Sequence, residues 1–316
     1  METHVVIGGA GCIGSELTRA LLQRGHRVRV VDNLSSGRVE HVSEFMSNPN
    51  FHFNKMDALN MVELDAELSG ASMVWHLAAK TDIKFSDDYD FDADFTQNFC
   101  TTWTILKAMK AQHVGKLAFS SSAAVYGEAS ILDEDLIMPE PISMYGATKL
   151  ACEAVIRAMA LRVGIQSWCF RYCSIVSPKA RKSGNMVIPD LLHKLQKDPT
   201  QLEIFGDGKQ TKPSLLVTEC VDAMLFIVSQ VKDQFSIFNI GAPDAISVTR
   251  QAELIVEAMG LSGVKFNYTG GKGGWPGDVP SFKMHVDRLA RIGWRAQHTS
   301  EEAVKIAIKG LIESGE

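Results

Sequence analysis

The fold of this chain is decided by the stretch His4-Val5-Val6-Ile7-Gly8-Gly9-Ala10-Gly11-Cys12-Ile13-Gly14. Its β-branched start predicts a strand that breaks into a glycine-rich turn, after which Leu17, Leu21 and Leu22 recur at the spacing of a helix. Glycine lets a backbone approach a pyrophosphate closely, and the N-terminus of a helix offers it free N–H groups. The stretch therefore predicts a strand, a turn and a helix that bind the phosphates of a nucleotide.

A second strand is predicted at Val28-Arg29-Val30-Val31, and it ends in Asp32, 18 residues beyond Gly14. A carboxylate at this place accepts hydrogen bonds from the hydroxyls of an adenosine ribose, and its charge repels a 2′-phosphate. The sequence therefore predicts that the nucleotide is NAD rather than NADP.

Two later stretches carry side chains suited to proton transfer. An apolar run ends in Ser120, Ser121 and Ser122, and hydroxyls at the end of a parallel strand face the crevice above the sheet. Tyr145 and Lys149 lie four residues apart at the predicted start of a helix, so they share one face. An ammonium group favours the ionised form of a nearby phenol, whose usual pKa is about 10. Tyr145 and Lys149 are therefore a candidate proton acceptor and donor.

Each of these stretches also has a purely structural interpretation. The hydroxyls of Ser120 and Ser121 can satisfy local backbone groups, and we expect that role for these two. Taken alone, the spacing of Tyr145 and Lys149 favours a packed phenol and a solvated ammonium at an exposed helix start. The other motifs along the chain favour the catalytic interpretation for Ser122, Tyr145 and Lys149.

The spacing of Gly8, Gly11 and Gly14 as G-x-x-G-x-x-G resembles the extended short-chain dehydrogenase/reductase family. The resemblance extends over nearly the whole chain, and within the family it points to NAD-dependent UDP-sugar 4-epimerases. It implies an α/β fold, in which a Rossmann-like doubly wound parallel sheet carries a smaller C-terminal α/β substrate domain. It also implies that Ser122, Tyr145 and Lys149 form the family's catalytic triad.

The resemblance further implies which residues contact the cofactor and the substrate. The cofactor residues are Gly8, Gly11, Cys12, Ile13, Gly14, Asp32, Asn33, Asp57, Ala58, Leu77, Ala78, Ala79, Asn98, Ser120, Tyr145, Lys149 and Tyr172. The substrate residues are Lys80, Thr81, Ser122, Ser174, Val187, Phe205, Lys212 and Asp278.

The chain departs from the family pattern at several positions that bind the substrate in the family. Ser174 stands at the position of a substrate-binding asparagine, and Ser177 stands at that of a glycine. Lys212 and Trp275 occupy positions where phosphate-binding arginines are usual. Lysine keeps the charge of arginine but loses its bidentate fork.

The family pattern also predicts how the chain divides. Residues 1–178 are expected to form the NAD-binding domain, with segments near 213–242 returning to it, and residues 179–316 to form most of the substrate domain. The helix after Tyr145 carries Leu150, Ala154, Ala158 and Leu161 at helical spacing, which predicts that this stripe faces the core.

The predicted activity is the epimerisation of a UDP-hexose through a transient 4-keto sugar, with NAD retained between turnovers. The alternatives are an NAD-dependent dehydrogenase or reductase, or another modification of a nucleotide sugar, and a nucleotide-binding sensor or scaffold without catalysis. Dehydratases and decarboxylases of the family carry acidic residues directly after the triad serine or threonine. This chain has Ala123 and Ala124 there, which disfavours both activities.

Composition narrows the possible partners. A net charge of -5 and a pI of about 6.0 argue against nucleic acid as a partner, and no apolar run approaches the roughly 18 residues of a membrane span. We therefore expect a cytoplasmic protein. The six cysteines and nine histidines show no ligand spacing, so no metal site is predicted. The resemblance implies a homodimer, and its expected surface is Phe95, Phe99, Trp103, Ile156 and Met159. The alternative is that these apolar residues belong to the core.

Overall fold

The computed structural model describes residues 1–81, 89–179, 186–274 and 278–315. The strands are β1 (Thr3–Ile7), β2 (Arg27–Asp32), β3 (Phe51–Lys55), β4 (Met73–His76), β5 (Lys116–Ser122), β6 (Ile131–Leu132), β7 (Gln166–Tyr172), β8 (Ser174–Val176), β9 (Gln201–Ile204), β10 (Thr211–Lys212), β11 (Ser214–Leu216), β12 (Phe235–Ile240), β13 (Ile246–Ser247), β14 (Lys265–Tyr268) and β15 (Lys283–Met284).

Helices are interspersed among the strands. They are α1 (Cys12–Gln23), α2 (Met61–Leu68), α3 (Phe91–Asp94), α4 (Thr101–Ala111), α5 (Met144–Val163), α6 (Val187–Lys197), α7 (Val217–Gln230), α8 (Val248–Ala258), α9 (Asp287–Arg291) and α10 (Ser300–Glu313), with a π-helical segment at Phe95–Cys100.

A seven-stranded sheet forms the centre of the molecule, in the order β12-β7-β5-β4-β1-β2-β3, and every pair in it is parallel. The chain leaves β1 for β2 on one side, while β4 lies on the other side of β1. The carboxyl ends of the strands border a crevice at this reversal, where α/β sheets bind ligands. The sheet confirms the predicted Rossmann-like fold class.

Apolar side chains cover both faces of the sheet because its parallel strands are buried on both sides. Helices α1 and α7 pack on one face through residues such as Leu17 and Met224. Helices α2, α4 and α5 pack on the other face through Leu64, Ile105 and Ile156. A third apolar cluster, built by segments between residues 176 and 311, includes α6, α8 and α10. The division of the chain into two domains at residue 178 stays a prediction. Strand β12 lies beyond residue 178 in the sequence, and it pairs along its whole length with β7 in the central sheet.

The predicted core stripe of α5 is wrong. Ala154 and Ala158 are exposed, Leu161 is 68% exposed, and only Leu150 is partly buried. The side of α5 that faces the protein instead carries Gly146, Thr148, Lys149, Cys152, Glu153, Ile156 and Ala160. Polar side chains on this side are buried because they have buried partners. Ile156 therefore belongs to the core and not to the surface predicted for a homodimer.

Among the described residues, no helix is both long enough and apolar enough to cross a membrane.

Candidate active site

The turn after β1 and the first turn of α1 each have one position with room only for glycine. At Gly8, which has a φ of +84°, an added Cβ atom would lie 2.5 Å from the backbone nitrogen of Ala78. At Gly14 it would lie 2.3 Å from the carbonyl oxygen of Gly8. Helix α1 begins directly after Gly11, whose own Cβ position is bordered only by Gly8 O, 3.4 Å away. The open space at this helix N-terminus fits the pyrophosphate of NAD, because N–H groups and the positive end of the helix dipole attract anions.

A cavity of about 80 Å³ beside this turn carries the acidic residues predicted for the adenosine half of NAD. Both oxygens of the buried Asp32 carboxylate accept backbone hydrogen bonds, from Ala10 N–H at 2.9 Å and from Leu34 N–H at 2.8 Å. Burial raises the pKa of Asp32 and the two hydrogen bonds oppose that rise. Asn33 Nδ2 donates to Asp57 Oδ2 at 3.1 Å, which joins the carboxyl ends of β2 and β3.

Replacing Asp32 with Asn is expected to weaken discrimination against NADP, because it removes the charge that repels a 2′-phosphate and keeps the size of the side chain. Titration of the nucleotide-free protein with NAD and with NADP measures the effect. Asp57→Asn is a useful comparison, since it removes a neighbouring charge from the same cavity. If the wild-type protein binds NADP as tightly as NAD, the role given to Asp32 is wrong.

A larger cavity of about 420 Å³ holds Ser122 and Tyr145 in its wall. Ser122 Oγ accepts a hydrogen bond from Ala124 N–H at 3.1 Å, and no described side chain accepts its hydroxyl proton. Lys149 lies behind this wall, only 1% exposed, and its Nζ is 5.8 Å from the centre of the Tyr145 ring. The ammonium donates to the carbonyl oxygen of Ser120 at 2.6 Å. The three predicted catalytic residues are therefore neighbours at the carboxyl end of β5.

Burial lowers the pKa of Lys149 to about 8, and nearby acidic groups oppose that change. The ionisable groups around it are Tyr145, Cys152 and Glu153 on α5, Cys169 on β7, and His76 on β4. His76 is neutral because burial lowers its pKa far below the usual value. The charge of Lys149 is thus sensitive to its surroundings near neutral pH.

The serines before Ser122 do not bond to local backbone, which corrects the expectation for them. Ser121 Oγ donates to the carboxylate of Glu153 at 2.5 Å. Ser120 contributes its carbonyl oxygen to Lys149, and its Oγ lies 3.4 Å from the same ammonium. Both residues therefore connect β5 to α5.

Asn98 lies in the π-helical segment, and its side chain binds the backbone of the loop after β4. Its Oδ1 accepts Lys80 N–H at 2.9 Å, and its Nδ2 donates to Lys80 O at 3.2 Å and Thr148 Oγ1 at 3.3 Å. Lys80 Nζ pairs with the buried carboxylate of Asp94 at 3.1 Å. Lys80 and Asn98 thus support the cavity from behind, whereas Leu77, Ala79 and Thr81 line it.

The remaining predicted substrate residues line the larger cavity, namely Ser174, Val187, Phe205, Lys212 and Asp278. Lys212 Nζ pairs with Asp278 Oδ1 at 2.6 Å, and Asp278 Oδ2 accepts Gly274 N–H at 2.9 Å. Trp275 lies outside the described residues. Of the predicted cofactor residues, Cys12, Ile13 and Tyr172 line the larger cavity, and Ala58 and Ala78 line the smaller one.

Sequence reasoning missed Asp190, Lys194 and Gln251, which also line the larger cavity. Lys194 Nζ lies 4.0 Å from the centre of the Phe205 ring and 3.0 Å from Asp190 Oδ2. The available signal was the helical spacing of Val187, Asp190 and Lys194, which places them on one side of α6.

Sequence and structure comparisons both find 4-epimerases of UDP-sugars, and the matches cover nearly the whole chain. A UDP-glucose 4-epimerase of Corynebacterium glutamicum is 28% identical over 312 residues, covering 93% of this chain and 91% of that protein. The crystal structure of a UDP-galactose 4-epimerase superposes with a TM-score of 0.85 at 32% identity, covering 99% of both chains. The UDP-glucuronic acid 4-epimerase of Bacillus cereus, solved with UDP-glucuronic acid and NAD, superposes with a TM-score of 0.89 at 25% identity, again over 99% of both chains.

The family model of the NAD dependent epimerase/dehydratase family matches residues 4–241. That range runs from β1 to the end of β12 and contains the glycine turn, Asp32 and all three candidate catalytic residues. The cofactor of the family, NAD, agrees with the shape of the turn and with the carboxylate at the end of β2. The chain belongs to the NAD-dependent epimerase/dehydratase family.

Proposed function

We propose that this protein is an NAD-dependent 4-epimerase of a UDP-hexose that works through a transient 4-keto sugar. The observation that carries the proposal is the complete set of Ser122, Tyr145 and Lys149 beside one cavity that also contains Lys212. The 4-epimerases found by sequence and by structure support the same reaction. A nucleotide-sugar substrate also agrees with the cytoplasmic location expected from the sequence.

The side chains have separate tasks in this reaction. Tyr145, as a phenolate, takes the proton of the sugar 4-hydroxyl. Ser122 donates its hydroxyl proton to the same sugar oxygen, while one of its two lone pairs accepts Ala124 N–H and fixes the position of the oxygen. Lys149 contributes positive charge behind the phenol, which favours its ionised form. NAD, which the turn at Gly8 and Gly14 and the carboxylate of Asp32 would hold, would supply the hydride acceptor for the sugar C4 and the source of the hydride returned to its opposite face.

The diphosphate of the substrate is assigned to Lys212. Asp278 pairs with this ammonium at 2.6 Å, and the pair holds the lysine in the cavity wall. A lysine binds phosphate as a point charge, without the bidentate fork of arginine. We expect the grip on the diphosphate to be weaker here than where an arginine supplies it.

Other activities of the same fold fit less well. Ala123 and Ala124 follow Ser122 in a short 3₁₀ helix, so these two positions supply no acid or base for dehydration or decarboxylation. A dehydrogenase or reductase needs only the triad and remains the second candidate. A sensor or scaffold without catalysis would not require the triad, and all three of its residues are present.

Solvent isotope labelling tests the proposed reaction. In D₂O, each UDP-hexose substrate is expected to give its C4 epimer without deuterium at C4, because the hydrogen at that carbon never exchanges with water. A substrate that already carries deuterium at C4 should retain it in the product. Deuterium entering C4 from water would indicate proton abstraction from carbon, and free NADH in amounts equal to product would indicate a dehydrogenase. Either result contradicts the proposal.

We further propose that the protein is a homodimer that pairs α4, α5 and the π-helical segment with those of a second copy. Large apolar side chains are exposed on these elements: Phe95 is 51% exposed and stacks on Phe99, and Trp103 is 43% exposed. Leu161 on α5 is exposed as well. Exposed apolar surface of this kind favours association.

Replacing Trp103 with Glu is expected to convert the dimer to a monomer, because it places a charge in an apolar interface. Leu136→Glu is the matched control, since Leu136 is exposed on a different element, between β6 and α5. Sedimentation at micromolar protein concentration measures both variants. A wild-type protein that sediments as a monomer contradicts the proposed interface.

A further inference from the structure

A buried ion pair lies directly behind the triad. Arg171 on β7 donates to both carboxylate oxygens of Glu153 on α5, from Nε at 3.0 Å and from Nη2 at 2.7 Å. Both side chains are 4% exposed. Bidentate pairs of this kind combine strength with a defined geometry. The pair therefore restrains the position of α5 relative to the sheet.

Glu153 also connects α5 to the strand that carries Ser122. Its Oε1 accepts the hydroxyl proton of Ser121, the residue before Ser122, at 2.5 Å. One turn earlier on the same side of α5, Lys149 Nζ donates to the carbonyl oxygen of Ser120 at 2.6 Å. The end of β5 is thus joined at two consecutive residues to the helix that carries Tyr145.

Packing alone does not require charged groups at this place. Removing two ions from water costs several kcal/mol per ion, and apolar replacements of similar volume often leave stability unchanged or raise it. The electric field of Glu153 also reaches the triad, since its negative charge is among the groups that raise the pKa of Lys149 against the effect of burial. The retained charge therefore calls for a role beyond packing.

We propose that Glu153, held by Arg171, is a positioning residue that fixes the Ser120–Ser122 segment and Lys149 relative to Tyr145. It acts through Ser121 and through its charge, and it does not touch the sugar. The inference rests on the roles that the proposed function gives to Ser122, Tyr145 and Lys149.

Three variants separate positioning from folding. Ser121→Ala removes one hydrogen bond and leaves the ion pair intact. Glu153→Gln removes the charge but leaves Arg171 buried without a counterion, so it can fail to fold. The double change Glu153→Met with Arg171→Met removes both charges at similar volume. It tests the proposal even if Glu153→Gln does not fold.

Two readouts are independent of the sugar. One is the pH at which tyrosinate absorbance of Tyr145 appears, measured as the difference between each protein and the same protein carrying Tyr145→Phe. The other is NAD affinity of the nucleotide-free protein. His4→Phe is the control, because His4 Nδ1 accepts a buried hydrogen bond from Trp75 Nε1 at 3.1 Å at the opposite end of the strands. It should lower thermal stability without changing turnover or ionisation of Tyr145.

We expect Ser121→Ala to lower kcat roughly 5-fold, as for one lost hydrogen bond. The double variant should fold, lose roughly 10- to 100-fold in kcat with little change in KM, and form tyrosinate at higher pH than the wild type. A folded double variant with wild-type kcat and wild-type tyrosinate formation overturns the inference. If the wild-type protein epimerises no UDP-hexose, the proposed function fails, while the absorbance and NAD measurements still decide the role of Glu153.

Discussion

Replacing Tyr145 with Phe is expected to lower turnover by roughly 10² to 10⁴, the usual effect of losing a general acid or base. The change removes a single oxygen and keeps the ring, so α5 and the cavity wall should keep their structure. The loss can exceed this range because the same oxygen serves both halves of the proposed reaction. Steady-state kinetics with a UDP-hexose measures the effect.

Two measurements make the Tyr145→Phe result specific. NAD affinity and the unfolding temperature should stay close to those of the wild type. Tyr268→Phe is the matched control, because it removes the same atom from a phenol of β14 that contacts Thr249 Oγ1 and lies outside both cavities. Tyr145→Phe with nearly full turnover would exclude Tyr145 as the proton acceptor.

We propose that the Lys149 ammonium donates a hydrogen bond to the ribose of NAD. Replacing Lys149 with Met is therefore expected to reduce NAD affinity roughly 10- to 100-fold, from the ~1.5–3 kcal/mol that a hydrogen bond to a charged group contributes. It should also lower turnover, because the phenolate loses its neighbouring positive charge. The wild-type protein should itself lose NAD affinity as the pH rises through about 8, since burial lowers the pKa of Lys149 to about 8. Lys149→Met should lack this pH dependence.

Stability should respond to pH in the opposite direction. The pKa of Lys149 is about 8 in the folded protein and 10.5 by its ordinary value, so between these limits the unfolded chain binds more protons. The contribution of Lys149 to the free energy of unfolding therefore rises as the pH increases from about 8 to 10.5. Lys149→Met should be at least as stable as the wild type at pH 7, because it removes a buried charge. Thermal unfolding across this range separates loss of function from loss of structure.

The sequence was sufficient for those parts of the site that depend on local backbone constraints. The turn at Gly8 and Gly14 is one such part, because any larger residue would collide with neighbouring backbone. The carboxylate of Asp32 is another, since its place at the end of β2 follows from chain order alone. Both could be predicted before any tertiary contact was known.

Contacts between distant polar residues could not be predicted in this way. Hydrophobic spacing assigned the core side of α5 to Leu150 and Leu161, whereas the structure buries Lys149 and Glu153. These charges are tolerated inside because Ser120 and Arg171, from two different strands, supply their partners. The pairing of Lys212 with Asp278, 66 residues apart, is hidden from sequence for the same reason.

The position of β12 at the edge of the sheet has a consequence for how the protein is made. Strand β7 ends at Tyr172, but its outer neighbour ends only at Ile240, so at roughly 5–20 residues per second the ribosome needs several seconds more to deliver it. During that interval the apolar strand β7 is an unpaired edge, which favours aggregation. A fragment that stops near residue 178 would keep this edge permanently. Expression of the first 178 residues alone should therefore give inclusion bodies. A soluble fragment would need the β12 segment joined to it, so that β7 is paired.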